Sequence, residues 1–92
     1  MIKSINHKGL RLLFEKGDGT KLPPAQLTKI EDILARLDDA QTKDDMNYPG
    51  SAFHELKGKL KGFYAVKVTG NYRIVFRYQD SDVFDVDYVD YH

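Results

Sequence analysis

The sequence contains no cysteine. Disulfides, thiolate metal sites and cysteine nucleophiles are therefore excluded. Long apolar runs are missing as well. Leaving proline and tyrosine aside, the longest apolar stretches are triplets such as Leu12-Leu13-Phe14 and Ile74-Val75-Phe76, too short for a transmembrane helix. The opening Met1-Ile2-Lys3-Ser4 carries no apolar signal-peptide stretch. An excess of one charge sign is the third absence, since 14 Lys/Arg face 14 Asp/Glu. Indiscriminate coating of nucleic acid is thereby disfavoured. What is present is 92 residues, 41% of them apolar, with six tyrosines and five phenylalanines. That suffices for one core, so a single domain over residues 1–92 is expected, in a small soluble protein with no membrane partner and a cytoplasmic location.

The neutral total conceals blocks. Residues 1–28 carry five Lys/Arg against two Asp/Glu, and residues 29–51 carry three against six. Residues 52–78 hold Lys57, Lys59, Lys61, Lys67, Arg73 and Arg77 against Glu55 alone, and residues 79–92 hold five aspartates and no Lys or Arg. From charge alone such blocks read as neutralising one another within the fold. A concentrated basic block can still read phosphate locally.

Periodicity divides the chain into a helical half and a stranded half. Met1–Ile5 fits a short edge strand. Residues 7–16 place Leu10, Leu13 and Phe14 at helical spacing, with Asn6 as N-cap. Gly17-Asp18-Gly19-Thr20 ends that helix, and Pro23-Pro24 opens the next. Leu27, Ile30, Ile33, Leu34 and Leu37 then form one apolar stripe. Residues 38–51 read as a connection with room for one helical turn. From Ser51 the period becomes two, predicting strands over 52–56, 63–68, 72–78 and 83–89. The expected fold class is α+β, a compact sandwich with two N-terminal helices on one face of a small antiparallel sheet.

Alternation sorts the sheet residues. Val66, Val68, Tyr72, Ile74, Phe76 and Tyr78 share a side, and Phe84, Val86 and Tyr88 join them if apolar residues are matched. The other side receives Phe63, Ala65, Lys67, Arg73, Val75, Arg77, Asp85, Asp87, Val89 and Tyr91. A sheet face with three cations and a terminal tyrosine reads as a binding surface. Asp85 and Asp87 are expected to pair with Arg73 and Arg77 on the neighbouring strand.

The chemical motifs are few. Gly58-Lys59-Leu60-Lys61-Gly62 lacks P-loop spacing. A calcium loop starting at Asp80 would have Asp85 where glycine belongs and Tyr91 where glutamate belongs, so no metal site is assigned. His7 reads as a solvated surface residue. His54 and the terminal Asp90-Tyr91-His92 remain. Histidine exchanges protons near neutral pH, and tyrosine can donate a proton or stack on a base. Arginine stabilises a developing pentacovalent phosphate. Together these groups suffice for metal-free RNA cleavage by the neighbouring 2′-hydroxyl.

The same residues resemble a known family. Met1-Ile2-Lys3-Ser4, His7-Lys8-Gly9-Leu10 and Leu12-Leu13-Phe14-Glu15-Lys16-Gly17 are similar to the HigB toxins of the RelE-like superfamily. So are His54-Glu55-Leu56-Lys57-Gly58, Asn71-Tyr72-Arg73-Ile74 and Tyr88-Val89-Asp90-Tyr91-His92, in order along the whole chain. The resemblance implies a RelE-like fold and the toxin half of a toxin–antitoxin pair. It implies cleavage of mRNA in the ribosomal A site without a cofactor, leaving a 2′,3′-cyclic phosphate and a 5′-hydroxyl. The implied partners are the ribosome with its 16S rRNA, the mRNA and a HigA-like helix-turn-helix antitoxin, through which alone operator DNA is contacted. His54, Asp90, Tyr91 and His92 match the family's acid–base group, with either histidine as base. Arg73 matches its phosphate-stabilising arginine, and Lys57 a basic residue of the same cleft. Lys59, Lys61, Lys67 and Arg77 are the further RNA-binding candidates. Relatives often carry a second basic residue two or three positions before Asn71, where this chain has Thr69 or Val68; Lys67 is the nearest cation. A non-catalytic RNA- or ribosome-binding domain, or a protein-interaction module using the same sheet face, is the rival reading.

Overall fold

A computed structural model describes residues 1–90. The expectations resting on Tyr91 and His92 lie outside the described residues. Helix α1 spans Lys8–Lys16 and α2 spans Leu27–Asp39. Four strands follow: β1 His54–Glu55, β2 Phe63–Lys67, β3 Tyr72–Gln79 and β4 Asp82–Asp90. They pair antiparallel in the order β1-β2-β3-β4. Short 3₁₀ turns at Pro24–Gln26, Lys43–Met46 and Gly58–Leu60 complete the chain.

The α2 stripe behaves as its spacing predicts, with Ile30, Ile33, Leu34 and Leu37 buried. They join Leu10 and Leu13 of α1 and Val66, Ile74, Phe76, Val83 and Val86 of the sheet in one core. Helix α1 starts one residue later than Asn6 would set it. His7 is the N-cap, its Nδ1 accepting from the Leu10 amide at 3.2 Å. Its ring meets Tyr88 edge-on with centroids 5.5 Å apart, so His7 is half-buried and not a solvated surface group. Gly17 closes α1 at φ 69°, a left-handed conformation that glycine adopts without Cβ strain, and its N–H reaches the Leu13 carbonyl at 3.0 Å.

Three strand expectations change. Residues 1–5 do not form a strand. They run parallel to β4 and pair with it at the isolated bridges Ile2↔Val83 and Ile5↔Val86. The first meander strand shrinks from 52–56 to two residues, because Ala52 turns the chain at φ 50°. Finally, β4 carries a bulge opposite Phe76. Arg77 faces Phe84 and Val75 faces Asp87, so one residue of β3 opposes two of β4. Asp85 sits in the left-handed region at φ 55°, and its amide donates to Ser4 Oγ at 2.8 Å. The bulge reverses alternation N-terminal to it. Val83, not Phe84, enters the core, and Phe84 moves to the face opposite the helices.

Tyr88 ties the sheet to the helical layer. Its ring stacks on Tyr72 at 5.0 Å, and its hydroxyl donates to Gln26 Oε1. Burial, with Tyr72 and Asp90 adding to it, holds this phenol above its usual pKa. A raised pKa means that the folded state holds the proton more tightly than the unfolded chain. The stabilisation is complete below about pH 10 and disappears as the pH climbs through the folded value. Melting followed by circular dichroism should therefore show the parent losing Tm more steeply above about pH 10 than Tyr88→Phe does. Parallel slopes would assign the alkaline loss to other groups.

Candidate active site on the outer sheet face

Register assembles the face turned away from the helices. His54 lies across from Ala65, Ala65 across from Val75, and Val75 across from Asp87. One step toward the β2–β3 hairpin, Lys67, Arg73 and Val89 form a second row. One step the other way, Phe63, Arg77 and Phe84 form a third. Buried Leu56, Ala65 and Val75, with Phe63 and Val89 packed on them, give this face an apolar floor. Strands stand ~4.8 Å apart and rise ~3.3 Å per residue, so the Cα atoms of His54 and Arg73 are on the order of 12 Å apart on one surface. The two residues thus share the outer face two strands apart.

The position of His54 is built by the residues before it. Ser51 is buried; its carbonyl accepts from the Lys67 amide at 2.7 Å, and its Oγ accepts from the Phe53 amide at 3.3 Å. Ala52 then directs its carbonyl to His54 Nδ1 at 3.0 Å. A carbonyl only accepts, so Nδ1 must carry the hydrogen. In the neutral ring the lone pair therefore resides on Nε2, the arrangement a general base requires.

Arg73 is held from the other side. Its Nη1 donates to the carbonyls of Thr69 at 2.6 Å, Tyr72 at 3.1 Å and Gly70 at 3.3 Å. The guanidinium is thus moored to the hairpin and half-buried. Lys67 stands directly opposite Arg73 in the register, as the alternation predicts. Like charges so placed repel by roughly a few tenths of a kcal/mol, a cost that a bound phosphate would relieve. Of the expected acidic pairs, Arg77–Asp85 forms at 2.9 Å. Arg73 instead engages the hairpin carbonyls, and Asp87 Oδ1 accepts from the Tyr88 amide at 2.9 Å.

Lys57 and Lys61 border an opening of about 350 Å³ beside β1, lined also by Glu55, Leu56 and Gly58. Lys59 lies in the exposed 3₁₀ turn between them. Asp90 ends β4 across from Tyr72. By alternation that is the helix side, so among the described residues the site gathers His54, Lys67, Arg73 and Arg77 on one face and sets Asp90 at its rim. A comparable opening of about 390 Å³ beside α2 is lined by Asp32, Arg36, Asp39 and Asp45, a net-acidic lining that disfavours phosphate. No group of three or more His, Asp or Glu side chains among the described residues is placed to hold a metal ion. No described helix is long and apolar enough to cross a membrane.

This two-helix, four-stranded architecture is the RelE-like toxin fold. It superposes on YafQ from E. coli, crystallised as a point mutant, with a TM-score of 0.66 at 14% identity, over 98% of this chain and 91% of that one. The toxin–antitoxin complex YoeB–YefM from Staphylococcus aureus gives 0.63 at 17% identity, over 100% and 95%. Residues 3–92 match the family described as the RelE-like toxin of the type II toxin–antitoxin system HigB. "Endoribonuclease HigB" of Proteus vulgaris is 39% identical over 92 residues, covering all of both chains. "Toxin HigB-1" of Vibrio cholerae is 32% identical over 97 residues, covering 100% of this chain and 98% of that one. The chain belongs to the HigB family of RelE-like toxins.

Proposed function

We propose that this chain is an endoribonuclease toxin that cuts mRNA in the ribosomal A site and arrests translation, in the cytoplasm, until a HigA-like helix-turn-helix antitoxin neutralises it. The observation that carries this reading is His54, with its Nε2 lone pair set by the Ala52 carbonyl, on the same sheet face as Arg73 and Lys67. With both helices on the inner face, the outer one is left for RNA. His54 Nε2 takes the proton of a ribose 2′-hydroxyl. The 2′-oxygen attacks the adjacent phosphorus, and the bond from phosphorus to the 5′-oxygen breaks. Arg73 and Lys67 offset the charge that builds on the phosphorane oxygens. Tyr91 or His92 returns a proton to the 5′-oxygen, giving a 5′-hydroxyl and a 2′,3′-cyclic phosphate, and Asp90 holds a histidine tautomer. Lys57, Lys59, Lys61 and Arg77 hold mRNA and 16S rRNA phosphates around the cut. A neutral overall charge suits such an enzyme, because the ribosome and not the protein's own field delivers the substrate.

Primer extension on one mRNA, translated and untranslated, with purified protein, tests the proposal. Cuts are expected only with ribosomes, inside codons of the reading frame. Ribosome binding without any cut would make the chain a non-catalytic binding domain. Cutting of naked RNA at equal rate would remove the ribosome from the mechanism.

A further inference from the structure

The β4 bulge does more than break a strand. By simple alternation Phe84 would face the core, where burying a phenylalanine stabilises a fold. Instead Asp85 occupies a left-handed conformation at φ 55°, and Phe84 is turned out onto the basic face, half-exposed. It packs with neither of the two apolar clusters found among the described residues. There it lines up with Arg77 and Phe63 in one cross-strand row, aromatic, cation, aromatic. The bulged residue orients the cation as well, since Asp85 Oδ2 accepts from Arg77 Nε at 2.9 Å. Bulges beside functional sites commonly re-aim a side chain in this way.

We infer that Phe63, Arg77 and Phe84 form a second subsite that takes one unpaired nucleotide of bound RNA, its base stacked on Phe84 and its phosphate held by Arg77. The row runs beside the one containing His54, so the nucleotide held is a neighbour of the one being cut. Charge favours RNA as the occupant. Lys57, Lys61, Lys67 and Arg73 surround the same floor, and the phenylalanines offer faces on which any base can stack. The inference rests on the ribonuclease reading but assigns residues that the cleavage step does not use. The unpaired nucleotide has two sources, mRNA or an exposed rRNA base.

The test uses the full chain and two probes, a short 2′-O-methyl RNA that cannot be cleaved and vacant ribosomes. Phe84→Ala and Phe84→Leu should each weaken oligonucleotide binding about tenfold by fluorescence anisotropy, whereas Phe84→Tyr should bind like the parent. A packing role would predict the reverse order, with leucine tolerated. Unchanged melting temperatures for Phe84→Leu and Phe84→Tyr keep the comparison meaningful should Phe84→Ala fail to fold. Loss of oligonucleotide binding alone assigns the subsite to mRNA, and loss of vacant-ribosome sedimentation alone assigns it to rRNA. Parental binding of both probes by Phe84→Leu, with the parent still cutting translated mRNA, would overturn the subsite and leave the endonuclease intact. If the parent neither bound RNA nor cut mRNA, the endonuclease reading and the subsite would fall together.

Discussion

His54→Ala is expected to slow ribosome-dependent mRNA cleavage by roughly 10²–10⁴-fold, the usual contribution of a positioned general base. Folding should be unaffected, because the side chain is exposed and its strand is only two residues long. Single-turnover cleavage on programmed ribosomes reads the effect directly, with sedimentation reporting unchanged ribosome binding. The size of the loss follows from how much of the site serves this one ring. Ser51 anchors the segment to β2, Ala52 accepts a left-handed backbone, and its carbonyl selects the tautomer. A cleavage rate within threefold of the parent would move the base to the terminal group and reduce His54 to a surface residue.

The second large effect falls on stability. Phe76 is fully buried in the middle of β3, across from Tyr64, with ring centroids 6.0 Å apart. It packs under residues of both helices in one continuous core. Phe76→Ala should cost about 3–5 kcal/mol, through lost transfer free energy and the cavity left behind. Against a total of about 5–15 kcal/mol for a natural domain, that is a large share. The expected fall in Tm is roughly 15–30 °C for a domain of this size. Phe76→Leu refills most of the volume and should cost about 1–2 kcal/mol. Urea unfolding of the three proteins measures the series; equal stability of the parent and Phe76→Ala would mean that the core lies elsewhere.

How far the sequence could be read depended on what each element needed. The α2 stripe was legible because five apolar residues at helical spacing have one plausible use, and the structure buries four of them. The meander was legible because each hairpin has its own turn. Asp80 and Ser81, at φ 52° and 66°, make the two-residue turn that joins β3 to β4. The basic face followed from that pairing, with Lys67 and Arg73 directly opposed. Other features were out of reach for physical reasons. A bulge carries no mark in a period-two pattern, so Phe84 and Val83 were exchanged. Met46, fully buried, hides in a polar stretch whose 3₁₀ turn folds it inward. An imidazole cap does not belong to the usual Ser, Thr, Asp or Asn set, and His7 passed as a surface group. Arg73 shared a face with acidic neighbours in sequence logic, yet nearer acceptors lay in its own hairpin.

The strand order has a kinetic corollary. Each strand of the sheet pairs with its immediate successor in the chain, so the basic face is made entirely of short-range hairpins. Residues 1–6, by contrast, are stitched along β4 from the far side of the described sequence. Sequence-local pairings close with little loop entropy and nucleate early. The basic sheet face should therefore take shape before the amino-terminal strap docks. The strap docks on β4, the last strand of the described sheet, so the first residues of the sequence join the fold after the hairpins have closed.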